Sequence, residues 1–234
     1  MKSQLETIGC RVSLAPLIEI AFEPIAADAL AGVAGLIATS GNAIESLRRS
    51  PALTAALDLP IFAVGAATAA RARDAGFQTV FVGPGTAADL APVIAPHPAA
   101  KSGTLLHLAG DRLAVDLAAL LAAVNVKVRS LVVYRSIAAA TLPADVRIAL
   151  EQRAVNAVIL MSPRTAKIWR RLISEAPENL DISDLAHICL SRDVKISLED
   201  VFGEMRPKVE VAAAPTREEI LALVRRLASQ SAAG

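Results

Sequence analysis

A short pattern of small polar side chains occurs twice in the chain, each time directly after an apolar run. Residues 36–43 read LIATSGNA and residues 159–166 read ILMSPRTA. In both, a serine (Ser40, Ser162) separates the apolar run from an alanine that opens a helical pattern. The first amides of a helix have no partner within the helix and carry partial positive charge, so such a turn can bind a carboxylate or a phosphate. The pattern therefore predicts anion recognition.

Two further pairs of segments repeat in the same order, which indicates two related α/β units. PIFAVGAATAARA at 60–72 is echoed by HICLSRDVKISLE at 187–199, and GPGTAADLAPVI at 83–94 is echoed by AAPTREEILALV at 213–224. Ligands of open α/β sheets bind at the carboxyl ends of the strands. The turns of both units are therefore candidate binding positions.

The candidate binding residues lie in these strand-to-helix turns. In chain order they are Thr39, Ser40, Asn42, Thr68, Gly110, Arg112, Ser162 and Arg164. For each Ser, Thr or Asn the alternative is a role as a helix cap, in which the side chain accepts a hydrogen bond from a helix amide. The sequence leaves this choice open for single residues. It favours binding for the set, because the same turn chemistry recurs in both units.

The signatures of nucleotide binding and covalent catalysis are missing from the sequence. Neither G-x-x-x-x-G-K-[ST] nor G-x-G-x-x-G after a strand occurs, and no serine stands in G-x-S-x-G. The three histidines and two cysteines are scattered, without the i, i+4 spacing that places two metal ligands on one helix face. We therefore expect no metal site.

The composition argues against several classes of partner. The net charge is +1, and five Phe, one Trp and one Tyr are too few for base stacking, so we expect no nucleic acid. No apolar run reaches the roughly 18 residues of a membrane span. The first residues, MKSQLETIG, lack the apolar core of a secretory signal. These observations predict a cytoplasmic protein without a membrane partner.

Short apolar runs alternate with helical patterns almost throughout, which is typical of an α/β fold with mostly parallel strands. The predicted strands are 11–15, 34–39, 60–64, 78–82, 104–109, 126–133, 156–161, 186–190 and 208–213. The predicted helices are 26–32, 42–49, 67–75, 86–94, 113–124, 143–153, 164–175, 193–202 and 216–229.

Two extended segments, 17–23 and 131–138, interrupt this alternation and bracket one complete copy of the repeated turns. The simplest topology inserts block 24–130 into an outer domain made of 1–16 and 139–234. The extended segments then pair as linker strands. The expected fold class is α/β, with two similar parallel-sheet domains joined by a two-stranded linker and one domain inserted into the other.

Tyr134, the one tyrosine of the chain, lies in the second extended segment. A phenol is protonated at neutral pH, so it can donate a proton or a hydrogen bond to a departing oxygen. As an amphipathic side chain at a domain junction it is equally suited to a structural role. The residue type alone does not decide between them.

The motifs, taken in order, resemble the uroporphyrinogen-III synthase family from about residue 9 to residue 229. They are LIATSGNA, FAVGAATAARARDAGF, LLHLAGDR, LVVYRS, ILMSPRTA, ICLS and AAPTREEILALV. Each motif alone resembles a generic strand-to-helix turn. The resemblance depends on their order and spacing, which cover nearly the whole chain.

This resemblance implies a two-domain α/β enzyme of haem biosynthesis with its active site in the cleft between the domains. Such an enzyme closes the linear tetrapyrrole hydroxymethylbilane, inverts the terminal pyrrole ring and releases water, without a cofactor. The substrate carries eight carboxylates, which suits amide-rich turns. Thr39, Ser40, Thr68, Ser162 and Ser191 match the family's cleft-lining turns, and Tyr134 matches the tyrosine best placed to assist departure of the hydroxyl group.

Two features depart from the family's pattern. The family usually opens with a strand and an Arg-Pro turn, whereas residues 3–17 resemble the end of the first helix and the second strand, so we expect the first strand of the outer domain to be missing. At 191–195 the chain reads SRDVK, which places Asp193 and Lys195 beside a binding turn.

The first departure keeps an alternative open, a degenerate module that binds a tetrapyrrole or another anion without closing it. An unrelated anion-binding α/β sensor is a third class. Whichever holds, we expect a monomer.

Overall fold

The computed structural model describes residues 1–113, 115–176, 180–199 and 208–231. The strands are β1 Ile18–Phe22, β2 Val33–Ala38, β3 Ile61–Ala63, β4 Val80–Val82, β5 Thr104–Gly110, β6 Val128–Ala138, β7 Ala157–Leu160, β8 Ala186–Cys189 and β9 Lys208–Val211. The helices are α1 Lys2–Thr7, α2 Gly41–Arg48, α3 Leu53–Ala56, α4 Ala66–Asp74, α5 Ala91–Ile94, α6 Pro98–Ser102, α7 Leu117–Ala122, α8 Ala144–Glu151, α9 Pro163–Ser174, α10 Arg192–Glu199 and α11 Arg217–Ser231. Short 3-10 turns lie at Ala27–Leu30 and Ala88–Leu90.

The chain divides into two compact units. The first unit comprises Met1–Glu19 and Ala138–Gly234, and the second unit is Ile20–Ile137. A six-stranded sheet has the order β1-β6-β5-β2-β3-β4, and a three-stranded sheet in the first unit has the order β7-β8-β9. The four pairs from β6 to β4 are parallel, and so are both pairs of the smaller sheet. The predicted α/β class with mostly parallel strands is confirmed.

Both sheets carry apolar side chains on their two faces, which is why their strands are apolar runs rather than alternating patterns. In the second unit, the neighbouring residues Leu36 and Ile37 of β2 belong to different core clusters, one on each face. In the first unit, Ile188 and Cys189 of β8 do the same. All four side chains have no exposed surface. Helices on both faces therefore enclose each sheet.

One predicted strand is wrong. Residues 11–15 form no strand, although the described residues include all of them. In a strand, Val12 and Leu14 would face the same side, but Leu14 is 64% exposed while Val12 packs against the cluster around Ile188. Ala15 packs against the other cluster, around Cys189. The segment thus contacts two clusters instead of following the edge of the sheet.

The predicted strand 126–133 and the predicted linker 131–138 are one continuous strand, β6. Its partner at the edge is β1, with hydrogen bonds from the Glu23 amide to the Val133 carbonyl and from the Ala139 amide to the Leu17 carbonyl. Residue 23 thus pairs with residue 133 and residue 17 with residue 139. The residue numbers rise along one strand as they fall along the other, so the pair is antiparallel.

Several predicted helices are shorter than expected. Residues 86–94, and the described residues of 113–124 (all but 114), contain only short helical pieces. Short α3 and α6 were not predicted, whereas α1 agrees with the resemblance of residues 3–17 to the end of the family's first helix. Residues 200–202 of the helix predicted at 193–202 lie outside the described residues.

His187 on β8 is a fully buried histidine of the first unit. Its Nδ1 lies 3.1 Å from the carbonyl oxygen of Leu185. Burial lowers the pKa of His187 from 6.5 to about 4, because the low-dielectric interior disfavours the imidazolium, although backbone hydrogen bonds at Leu185 and Lys208 act in the opposite direction. The folded protein therefore keeps this ring neutral where an unfolded chain would protonate it.

We predict that the protein loses stability as the pH falls from about 6.5 to about 4. In this window the unfolded state binds a proton that the folded state does not, so the free energy of unfolding decreases as the pH decreases. A pKa lowered from 6.5 to about 4 corresponds to about 3 kcal/mol, with each pKa unit contributing about 1.4 kcal/mol. Urea unfolding of the wild type and of His187→Gln at several pH values measures the effect. Equal pH slopes in the two proteins would contradict it.

Candidate functional site

The second unit contains a cavity of about 170 Å³ at the carboxyl-terminal edge of its sheet. Thr39 follows β2, Ala87 lies beyond β4, and Gly110 ends β5. The complete lining is Thr39, Ala87, His107, Gly110, Arg112, Leu113, Val115, Leu117 and Tyr134. Parallel α/β sheets bind ligands at this edge, so the cavity stands where the fold predicts a site.

Tyr134 lies against the end of β5 because residue 110 has no side chain. Gly110 pairs with Tyr134 in the β5–β6 register, after an irregularity between Ala109 and Gly110. A Cβ atom placed on Gly110 would lie 2.6 Å from Cζ and 2.8 Å from the hydroxyl oxygen of Tyr134. The phenol ring therefore occupies the space where any other residue would carry its side chain.

The backbone at and just after Tyr134 is fixed by hydrogen bonds from the turn after β5. The amide of Asp111 donates to the carbonyl of Tyr134 at 3.0 Å, and a carboxylate oxygen of Asp111 accepts from the amide of Ser136, also at 3.0 Å. Arg135 pairs with the carboxylate of Glu23. These contacts set the position of the strand that carries the phenol.

A polar chain of three side chains begins at the cavity, where Thr39 and His107 line the wall. His107 on β5 is 1% exposed, and its Nε2 lies 3.2 Å from Oγ1 of Thr39. Its Nδ1 lies 3.3 Å from Oγ of Ser130 on β6. Burial lowers the pKa of His107 below its ordinary value, so the ring is neutral at physiological pH.

The lining of the cavity combines apolar surface with few polar groups. Arg112 is exposed and is the one charged residue among the nine that line the cavity. The hydroxyl group of Tyr134 forms no hydrogen bond with any described residue. A cation and an available O–H donor, without a lining carboxylate, suit an anionic ligand.

Ser40 is the N-cap of α2, and its hydroxyl oxygen accepts a hydrogen bond from the amide of Asn42 at 3.2 Å. In the structure this serine therefore serves as a helix cap, which was one of the two roles left open by the sequence. Arg71 from α4 lies across the same turn, with its Cδ atom 2.6 Å from where a Cβ on Gly41 would be. The start of α2 therefore carries a nearby guanidinium group in addition to the partial positive charge of the helix terminus.

A further sequence candidate of the second unit is buried. Thr68 is the third residue of α4 and is 7% exposed. The corresponding third residue of α10 is Val194, which is 1% exposed. A buried position that accepts Val in one unit and Thr in the other is explained by packing, and Thr68 is not among the residues that line the cavity.

The candidates of the first unit lie at the starts of two helices. Ser162 caps α9 in a capping box with Thr165, and Arg164 is the second residue of that helix. Ser191 directly precedes α10, and its carbonyl accepts from the amide of Lys195. Lys195 also pairs with Glu199 at 3.5 Å, so part of its charge is used within its own helix.

Sequence reasoning missed His107 as a member of the site. Its signal is visible in retrospect, because it is the one ionisable residue in the otherwise apolar run TLLHLAG of β5. A histidine inside a strand buried on both faces needs polar partners.

Among the described residues, no group of three or more His, Cys, Asp or Glu side chains is placed to hold a metal ion. The helices of these residues are also too short or too polar to cross a membrane.

Comparison with known proteins gives one family. A family model described as uroporphyrinogen-III synthase HemD matches residues 1–201. The crystal structure of uroporphyrinogen-III synthetase from Helicobacter pylori is similar with a TM-score of 0.64 and 22% identity, over 92% of this chain and 95% of that chain. A mutant uroporphyrinogen III synthase from Thermus thermophilus gives a TM-score of 0.51 and 21% identity, over 98% of this chain and 94% of that chain. At these identities the solved structures support the fold. No curated protein matches the chain.

Because the family model covers most of the sequence, the chain belongs to the uroporphyrinogen-III synthase family. It is a lyase of haem biosynthesis, which cyclises hydroxymethylbilane with inversion of the terminal pyrrole ring and loss of water. The family expected from the order of the motifs is confirmed. None of the matches favours the alternative of a non-catalytic binding module.

We predict that Gly110→Ala lowers the rate of cyclisation at least severalfold while the unit stays folded. The added Cβ would lie 2.6 Å from the Tyr134 ring, and a side chain can rotate away where a backbone cannot. The variant therefore displaces the phenol from the cavity wall. The matched control is Gly110→Ala in the Tyr134→Phe protein, in which the loss should be much smaller. An unchanged rate for the single variant, or an equal loss in both backgrounds, would show that Gly110 does not act through this phenol.

We predict that two substitutions at Ser40 separate its capping role from a role in binding. Ser40→Ala removes the cap and should lower the free energy of unfolding by about 1 kcal/mol. Ser40→Asp keeps a good capping side chain but adds a negative charge, so stability should be retained while KM for the anionic substrate rises. Thermal unfolding and steady-state kinetics measure the two effects. A normal KM for a stable Ser40→Asp would limit Ser40 to the cap.

Proposed function

We propose that the cavity of the second unit receives the reacting end of hydroxymethylbilane, and that Tyr134 assists departure of its hydroxyl group. The observation that carries this proposal is the position of the phenol. Its ring lines the cavity, lies against Gly110, and has a hydroxyl group without a hydrogen-bond partner among the described residues. A donor held in this way is available to the substrate.

The size of the cavity supports binding of only one part of the substrate. Sites that enclose a whole drug-sized ligand have volumes of about 300–1,000 Å³. The cavity has about 170 Å³, and a linear tetrapyrrole is larger than a typical drug. The volume therefore suits a single pyrrole ring with its substituents, while the other rings lie outside.

The chemistry requires a proton at one defined oxygen. The bond between the hydroxymethyl carbon and its oxygen breaks, the pyrrole nitrogen supplies electrons to the carbon, and the oxygen takes a proton and leaves as water. The substituted carbon of the terminal ring then attacks the azafulvene, and the spiro intermediate opens and closes again with that ring inverted. The phenol of Tyr134 supplies the proton, and the phenolate regains one when the new ring junction loses its hydrogen. The reaction therefore balances without a cofactor.

Charge at the cavity supports recognition of the carboxylates on that ring. The guanidinium of Arg112 is exposed at the cavity, and no acidic side chain is among its nine lining residues. The hydroxyl group of Thr39 and the amide-rich start of α2 stand at the same edge of the sheet. Holding the two ends of the linear tetrapyrrole together supplies much of the rate enhancement, because the substrate itself contains both reacting groups.

We extend the proposal to the turns of the first unit. The recurrence of a capped helix start at Ser162, followed by Arg164, suggests that this turn and the one at Ser191 bind further carboxylates of the substrate. Asn42 and Thr68 are proposed for the same role in the second unit, and for Thr68 the support is limited to its place at the start of α4.

The proposal also covers the cellular location and the oligomeric state of the protein. We propose a cytoplasmic protein that acts as a monomer. The thiols of Cys10 and Cys189 are both unpaired, as expected in a reducing compartment. Light scattering of the purified protein measures the oligomeric state.

We predict that Tyr134→Phe forms uroporphyrinogen III severalfold or more slowly, with little change in KM, because the hydroxyl group is needed in the transition state rather than for binding. A coupled assay from porphobilinogen measures the rate, since spontaneous closure gives isomer I and the enzyme gives isomer III. Parental rates of isomer III formation with Tyr134→Phe would overturn the proton-donor role.

A spectroscopic control tests binding independently of turnover. Tyr134 is the one tyrosine of the chain, so 3-fluorotyrosine labels a single site. Addition of uroporphyrinogen III should shift its fluorine resonance if the macrocycle reaches the cavity. A resonance that stays unchanged at saturating product would place the bound macrocycle away from Tyr134 and contradict the proposed site.

A further inference from the structure

We propose that His107 is a positioning residue that fixes the hydroxyl group of Thr39 as a hydrogen-bond donor toward the substrate. The inference rests on the proposed function, because it takes the cavity of the second unit as the substrate site. It adds a role for a histidine that the motifs did not single out.

The geometry places His107 between two hydroxyl groups on neighbouring strands. In the register of the sheet, His107 on β5 stands opposite Ile37 of β2 on one side and Ser130 of β6 on the other. Its Nε2 reaches Oγ1 of Thr39 at 3.2 Å and its Nδ1 reaches Oγ of Ser130 at 3.3 Å. Both ring nitrogens are therefore used.

The protonation state of the ring links the two contacts. A neutral imidazole donates from one nitrogen and accepts at the other. In the first arrangement Ser130 donates to Nδ1, the Nε2 hydrogen goes to the oxygen of Thr39, and the Thr39 hydrogen is free to point into the cavity. In the second arrangement the Thr39 hydrogen is bound to Nε2 and cannot serve a ligand.

An anionic substrate selects the first arrangement. A carboxylate accepts hydrogen bonds and donates none, so it binds only to the form in which Thr39 presents its hydrogen. Thr39 and His107 both line the cavity. His107 is 1% exposed, and its strand pairs with β2 and β6, so the ring keeps its place while the bound carboxylate shifts the population toward the first arrangement.

A pair of substitutions at His107 distinguishes this role from simple packing. His107→Gln places an amide nitrogen near the position of Nε2 and can still donate to Thr39. His107→Asn reaches only the position of Nδ1 and leaves Thr39 without that donor. We expect His107→Asn to raise KM about tenfold, in line with loss of a hydrogen bond to a charged group, with kcat within about twofold. His107→Gln should retain most of the affinity.

A double-mutant cycle tests whether His107 acts through Thr39. Thr39→Val removes the hydroxyl group and should raise KM by a similar factor. In the Thr39→Val protein, His107→Asn should have little further effect, because the group that it positions is already absent. Effects that multiply in the double variant would overturn the inference, and so would loss of affinity with His107→Gln equal to that with His107→Asn.

The control is the same substitution at a histidine outside the cavity. His97 caps α6, with its Nδ1 accepting from the amide of Ala99 at 3.1 Å, and asparagine is also a good cap. His97→Asn should leave KM and kcat unchanged.

Failure of this inference differs from failure of the proposed function. If Thr39→Val and Tyr134→Phe both cyclise hydroxymethylbilane at parental rates and KM, the cavity is not the site. If these two variants are impaired as expected but the His107 and Thr39 effects multiply, only the positioning role is wrong.

Discussion

The end of β5 lies directly beneath the phenol of Tyr134, and this contact depends on the missing side chain of Gly110. A Cβ at that position would overlap the ring. The irregular register between Ala109 and Gly110, the hydrogen bonds made by Asp111 and the pairing of Arg135 all keep β6 at this short distance. A strand end without a side chain thus leaves room for the ring in the wall of the cavity.

The polar residues of the strand-to-helix turns divide between two roles. Ser40 and Ser162 accept hydrogen bonds from helix amides, so their oxygen atoms already stabilise α2 and α9. Thr39, one residue earlier than Ser40, is free of the cap and faces His107 instead. Neighbouring residues in one turn thus serve stability and recognition separately. The sequence alone cannot distinguish a capping residue from a binding residue in such a turn, because both roles favour the same residue types.

The sequence was a good guide where local chemistry determines structure. Gly76 after α4 and Asn125 after α7 adopt a left-handed backbone, which their residue types favour, and Pro163 stands in the first turn of α9. The motif order identified the family, and Tyr134, Thr39, Gly110 and Arg112 do line one cavity. These residues follow different strands, and the parallel register of the sheet aligns the strand ends.

The sequence failed where contacts between distant residues decide. Residues 11–15 have strand-like composition, but they pack against two separate apolar clusters. The motifs do not single out His107, because its partners, Thr39 and Ser130, are 68 and 23 residues away. Only the pairing of β2, β5 and β6 brings them together. A lone polar residue in an apolar strand therefore indicates that polar partners stand on the neighbouring strands.

The guanidinium of Arg71 beside Gly41 has a consequence for how quickly a substrate is captured. Together with the partial positive charge at the start of α2 and with Arg112 at the cavity, it places several positive groups along this edge of the second unit, although the whole chain carries a net charge of only +1. A polyanion that diffuses past is drawn toward such an edge over roughly one Debye length, about 8 Å at physiological ionic strength. Capture then becomes a matter of electrostatic steering, faster in dilute buffer and slower in concentrated salt, even for a protein that is almost neutral overall.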